Sequence, residues 1–539
     1  MAEEFDYIVV GGGTAGCVLA ARLAEEPAQR VLLLEAGERE SLWSRIPAAF
    51  RKVSHRSGLT WPLQSEPEPC LDGRRPTLLA GRTLGGSSAI NGLLYVRGQR
   101  HDFDGWAAGG AHGWGAAEVR PWFEQLESEW PLQVVDDPRL LQADFARALA
   151  DAGYEEVGEP LREAADGYFR PRITVDARGR RQDSAHQHSL DRKRSNLTII
   201  KGARTTRVTI DHGVATGVQY RHAGQAHRVR VRREVLLTAG TYHTPQLLML
   251  SGIGDPAALE SLGIRCCVAL PGVGQGLANH ATIAMRFLAA KPLPALQALR
   301  IDRALLSLMA WASAGRGLFA QQPTSQLLML RSQPWLGWPD CQLTLGTVGS
   351  DADWWCPGIR ASAAHAFVVN LTPLRPASRG WVRLASADPL APPRVLTHLL
   401  ADPADGAVFR DCVPRVRELF ACEALAQWTE REWVPGAAVQ SDAQLDAWLR
   451  RSVLAAGNPV GTCRMGVDAQ AVVDPQLRVR GTAGLRVIDA SVMPSLPGAG
   501  TYATTLMIAE RGAAFVRGQG APRGNLGANV VRFPGPRRS

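Results

Sequence analysis

The sequence predicts a two-domain α/β protein whose first unit is a doubly wound, Rossmann-like sheet. Three observations carry this reading. At 539 residues the chain exceeds what one hydrophobic core ordinarily fills. Its N-terminus reads strand, glycine-rich turn, helix and second strand, closing on the acidic residue Glu35. Its composition, 45% hydrophobic and 21% charged with a mean hydropathy of −0.10, is that of a globular chain.

Taken in order, the apolar run Tyr7–Val10 enters Gly11-Gly12-Gly13-Thr14-Ala15-Gly16, a helical stretch follows from Cys17 to Glu25, and Val31–Leu34 leads to Glu35. Each position has a physical task. Gly11 permits the tight turn, Gly13 lets the backbone approach a pyrophosphate, and Gly16 lets the helix pack closely on the strand. The helix N-terminus offers unpaired N–H groups to phosphate, and Glu35 accepts hydrogen bonds from a ribose. The motif alone leaves FAD and NAD both open.

Charge excludes little. The excess of 60 basic over 51 acidic residues is scattered, apart from Arg178–Arg181, Arg192-Lys193-Arg194 and the tail, so no nucleic-acid partner is expected. Nine cysteines at 17, 70, 266, 267, 341, 356, 412, 422 and 463 form no Cys-x-x-Cys pair, and no metal is expected. No apolar run reaches the roughly 20 residues of a spanning helix, and no signal segment is evident; cytoplasmic residence is the expectation.

A second small-residue loop decides the cofactor. Residues 81–106 read Gly-Arg-Thr-Leu-Gly-Gly-Ser-Ser-Ala-Ile-Asn-Gly-Leu-Leu-Tyr-Val-Arg-Gly-Gln-Arg-His-Asp-Phe-Asp-Gly-Trp, with Asn91 placed to bring an amide to a ring edge. This segment closely resembles the first signature of the glucose-methanol-choline (GMC) oxidoreductases. The resemblance continues through Gly113-Trp114, Pro121-Trp122-Phe123, Thr244–Gly254, Leu270–Gly274, Arg375-Pro376, Ser386–Pro389, Val473–Pro475 and Leu485–Pro494. It covers all but about the last 20 residues, which are rich in Gly, Pro and Arg.

The resemblance implies a Rossmann-like FAD-binding domain assembled from 1–154, 196–284 and 455–517. It also implies an α+β substrate domain with an antiparallel sheet from 155–195 and 285–454, and a flexible basic tail over 518–539. It places the cofactor on Gly11, Gly13, Thr14, Ala15, Gly16, Glu35, Ala36, Leu84, Gly86, Ser87, Asn91, Gly92, Leu93 and Leu94, then on Ala239, Gly240, Asp489, Ala490, Thr501 and Thr504. Val208 is expected at the adenine end. Ile90 stands where some relatives carry a His that bonds FAD covalently, so a non-covalent flavin is expected.

The chain departs from its family where the base belongs. Alcohol-oxidising relatives carry a His before Pro-x-Gly-Thr-Cys-x-Met-Gly and a second His or Asn eleven residues beyond the strand-end Asp. Here these positions are Asn458 and Gly500. The expected activity is oxidation of an alcohol or related CH–OH donor with an altered base, Asn458 orienting the substrate and Tyr502 the nearest replacement by sequence. The alternatives are non-oxidative or photochemical flavin chemistry of the decarboxylase kind, against which Leu374 stands in place of a Cys, and a flavin-binding scaffold. His55, His101, His112, His243 and His280 are further candidate bases, and Trp335, Trp338, Trp354 and Trp355 are candidate pocket walls. The partner is a small-molecule substrate; electron acceptor and oligomeric state stay open.

Overall fold

The computed structural model describes residues 3–39, 41–55, 58–158, 166–190 and 192–520. The nucleotide half is built on one sheet. The β-branched and leucine runs Glu4–Val10 and Val31–Glu35, buried on both faces, pair in parallel, and Leu197–Lys201 adds in parallel at the outer side of Val31–Glu35. On the other side Glu4–Val10 pairs with the second half of the long strand Gln225–Leu237, which also takes Leu485–Val487 in parallel. The first half of Gln225–Leu237 turns outward into an antiparallel meander with Val214–His222 and Arg204–Asp211. Helices Thr14–Leu23 and Thr501–Arg517 pack on each other against this sheet, locked by a bidentate Arg22–Glu510 pair at 2.8 and 3.0 Å. The doubly wound expectation holds.

The second unit is an eight-stranded, mainly antiparallel sheet in the order Thr429–Val434, Ala281–Ala289, Ala366–Pro373, Cys341–Gly346, Gln326–Leu330, Gly167–Phe169 and Glu155–Glu156, with Leu454–Ala455 paired to Ala281–Ala289. Helix Pro403–Ala421 lays Phe409, Val413, Val416 and Phe420 on it. The antiparallel expectation also holds, but its boundaries differ. The division expected between residues 284 and 285 falls inside Ala281–Ala289, one continuous strand of this sheet. Phe145, Ala148 and Leu149, expected in the nucleotide domain, pack in the second core, whereas Ala185 and Leu190 pack in the first. The tail from 521 onward lies outside the described residues. Among the described residues no helix is long and apolar enough to cross a membrane, and no cluster of His, Cys, Asp and Glu is arranged to hold a metal.

Candidate functional site

A cleft opens at the carboxyl ends of the parallel strands, where doubly wound sheets bind ligands. Its empty volume is about 1380 Å³ including the mouth. Three helix N-termini converge on it, at Thr14-Ala15, Gly240-Thr241 and Thr501-Tyr502, so the positive ends of three helix dipoles face one space. The turn is built for close approach. A Cβ on Gly16 would stand 1.9 Å from the Gly11 carbonyl oxygen. Gly86 holds φ +53°, and a Cβ there would stand 2.6 Å from the Gly13 Cα, so the two glycine loops meet backbone to backbone. A phosphate-bearing dinucleotide fits this donor set, and a shape with room only for backbone on two sides suits a pyrophosphate.

Of the expected cofactor residues, Gly11, Gly13, Thr14, Ala15, Glu35, Ala36, Gly86, Ser87, Asn91, Ala239, Gly240, Asp489, Ala490 and Thr501 line the cleft. Glu35 ends its strand with Oε2 accepting from the Gly12 N–H at 2.8 Å and Oε1 from the Gly37 N–H at 2.7 Å. Burial pushes its carboxyl up to about 7 despite those bonds. Asp489 is spent on structure: Oδ2 accepts from Gly240 N–H and the Thr244 hydroxyl, and Oδ1 from Ser491. It thereby fixes the Ala490 turn against the helix Gly240–Leu250. Asn91 lines the cleft with its Oδ1 accepting from Leu93 N–H at 3.0 Å and from Arg181 Nη1 at 2.7 Å, which leaves the amide N–H₂ as its free donor. Arg181, fully buried and also bonded to the carbonyls of Ser44, Ser88 and Asn91, was not anticipated as part of this site.

Several expected residues sit behind the wall. Gly16 and Leu84 serve the packing of the loop, and Gly92, Leu93, Leu94 and Thr504 do not line the cleft. Leu93 and Leu94 belong to the second core, and Thr504 is buried a turn inside the helix that Thr501 begins. Val208 is corrected: it is fully buried in the first core, its N–H bonded to Ser251 Oγ at 2.9 Å, and Ala203, Arg204 and Thr205 form that wall instead. For the tryptophans at 335, 338, 354 and 355 the sequence leaves both pocket lining and ordinary packing open, and none lines the cleft; Trp354 packs on Phe319 and Trp338 stacks on His101.

At the opposite end lie Asn458 and Thr501. Asn458 Oδ1 accepts from Thr501 Oγ1 at 3.3 Å, and its Nδ2 faces His280 Nδ1 at 3.2 Å. His280 Nε2 donates to the Leu374 carbonyl at 3.0 Å, so Nδ1 is the lone-pair side and receives the Asn458 amide N–H. Burial pulls the His280 imidazole down to about 4, which keeps it neutral. A Cβ on Gly500 would have Asn458 Oδ1 as its nearest neighbour, at 4.0 Å, so the amide oxygen borders open space. Tyr502 reaches the cleft, but its hydroxyl is buried beside Thr174 and Ser184 without a well-formed hydrogen bond. Burial and the Asp183 carboxylate drive its pKa upward, which keeps the phenol protonated near neutral pH. His55, His101 and His112 are exposed and do not line the cleft. His243 does line it, its ring tilted 32° against Trp61 with the centroids 4.2 Å apart, and burial pulls its pKa down to about 3, which keeps it neutral.

Two family profiles described as GMC oxidoreductase match residues 5–282 and 376–509. The oxygen-dependent choline dehydrogenase of Vibrio vulnificus is 35% identical over 96% of this chain and 95% of its own. The mitochondrial choline dehydrogenase of Homo sapiens is 36% identical over 96% and 91%. Among solved structures, a pyridoxine 4-oxidase from Mesorbium loti superposes with a TM-score of 0.82 at 28% identity, over 94% of this chain and 98% of its own. A formate oxidase shares the fold, with a TM-score of 0.88 at 24% identity over 96% and 98%.

Proposed function

The chain belongs to the GMC oxidoreductase family, with FAD as its cofactor, and from that premise we propose that it oxidises an alcohol or related CH–OH donor with an amide where its relatives keep a base. FAD, when bound, supplies the acceptor for the hydride. Gly11 to Ala15, Gly86 and Ser87 hold its phosphates, Glu35 its ribose, and Asn91 donates to the ring edge. The site's own chemistry then rests on one observation: His280 fixes the Asn458 amide so that its oxygen borders the space beside Gly500.

That oxygen accepts a hydrogen bond from the substrate hydroxyl and orients the carbinol carbon. An amide does not take up the proton, which leaves to water. Loss of a general base costs about 10²–10⁴-fold in rate, so donors with an acidic or already activated hydroxyl are favoured. The flavin is non-covalent on this reading, because Ile90 is buried against Val53 and Leu59 and offers no nucleophile. The test is anaerobic addition of a panel of alcohols, choline included, to the flavin-loaded protein. Loss of the visible flavin band with at least one donor is expected. A band untouched by every donor, with flavin fully bound, overturns the proposal.

A further inference from the structure

The face of the substrate domain around the helix Ile301–Ala314 departs from an ordinary protein surface. The helix turns Ala304, Leu308 and Trp311 inward onto Ile46 and Phe319, and Trp311 Nε1 donates to the Gly179 carbonyl at 2.6 Å. Its other side carries Ile301, Leu305, Leu306 and Met309, which are 41 to 63% exposed. Two further segments extend the patch. The turn Leu42–Arg45, connected through Pro47–Ala49 to the turn Leu318–Ala320 on which the helix rests, exposes Leu42 and Trp43. The bridge between Arg300 and Trp355 sets the loop carrying the exposed Ile359 beside the first helical turn. Seven of the fourteen exposed large apolar side chains among the described residues therefore gather on this one face. Scattered singles need no explanation, but a contiguous patch of this kind does.

Charge identifies what covers it. The stretches 41–65 and 303–339 contain no acidic residue, and Arg303 and Arg316 stand exposed on the helix and just beyond its end. The carboxylates of Asp302, in the first turn of the helix, and Asp353, in the loop bridged to it, are already engaged, Asp302 with Arg300 at 2.6 Å and Asp353 with Lys52 and Arg360. An apolar helix face with Trp at its margin and cations around it is the pattern of a helix lying in the plane of a membrane interface. A second copy of this chain would bring the same cationic rim against itself. We propose that this face docks on an anionic lipid bilayer, with Leu305, Leu306 and Met309 entering the acyl boundary while Arg303 and Arg316 meet the headgroups.

The experiment is flotation of the flavin-loaded full chain with phosphatidylcholine vesicles containing about 30% phosphatidylglycerol, and with phosphatidylcholine alone. Wild type is expected to float with the anionic vesicles and to bind at least about tenfold more weakly to neutral ones or in about 1 M salt. Leu306→Glu/Met309→Glu and, independently, Arg303→Glu/Arg316→Glu are each expected to lower binding at least about tenfold with flavin content unchanged. Val214→Glu, on the nucleotide domain, is expected to float like wild type. Absence of flotation, binding indifferent to lipid charge, or binding retained in both double variants overturns the proposal. So does a wild-type dimer, seen by light scattering, that Leu306→Glu/Met309→Glu dissolves, since the face would then join two copies.

Discussion

On the proposed reading Asn458 is the residue on which the chemistry turns, and its neighbours explain what it presents. Because His280 Nε2 is committed to the Leu374 carbonyl, only Nδ1 faces the amide, and the amide must turn its N–H₂ there. Asn458→His restores a group that titrates near neutrality, and Gly500 leaves it room. The variant is expected to speed alcohol oxidation by about 10²-fold or more, read as the anaerobic rate of flavin reduction. His280 has its own pH signature. Its folded pKa of about 4 lies below the ordinary 6.5, so the unfolded chain binds the proton first as pH falls. Stability is therefore lost between about pH 6.5 and 4, and His280→Asn should flatten that limb of a denaturation-midpoint profile. None of this was legible in the sequence, because His280 and Asn458 lie 178 positions apart. The substitution at Asn458 was legible, but not what its amide bonds to.

At the scale of elements, the glycine loops were readable because close backbone approach leaves glycine as the residue that fits. Gly86→Ala places a Cβ against the Gly13 backbone at positive φ, and a cost of about 1–3 kcal/mol with loss of flavin retention is expected by thermal shift and absorbance. Glu35→Ala should weaken FAD binding by about 1–3 kcal/mol in titration calorimetry. Val208 shows where carrying a position over by resemblance fails. A valine in a strand is more at home in the core, and the cleft takes the polar residues that open the same strand, Arg204 and Thr205. The antiparallel sheet gave a weak periodic signal, since Gln326–Leu330 is buried at every position rather than at alternate ones. Its presence was implied by family resemblance alone.

Across the whole molecule, the cleft draws on elements from both ends of the chain, from Val10 to Thr505, so flavin binding and global folding are linked. Glu35 makes that linkage pH-dependent. In the flavin-free protein burial holds its pKa at about 7, above the ordinary 4.5, and on the proposed reading ribose hydroxyls donating to the carboxylate would lower it. FAD binding near pH 7 is accordingly expected to release a fraction of a proton, visible as a dependence of the calorimetric heat on buffer ionisation enthalpy. The central claim, that no protein base takes the substrate proton, is tested most directly by the pH dependence of anaerobic flavin reduction in the wild type. With Asn458 unable to titrate, His280 near 4 and Tyr502 driven upward, the rate should show no protein inflection between about pH 6 and 9, whereas Asn458→His should acquire one near neutrality. A wild-type rate that rises through a single pKa near 7 and then levels would contradict the account.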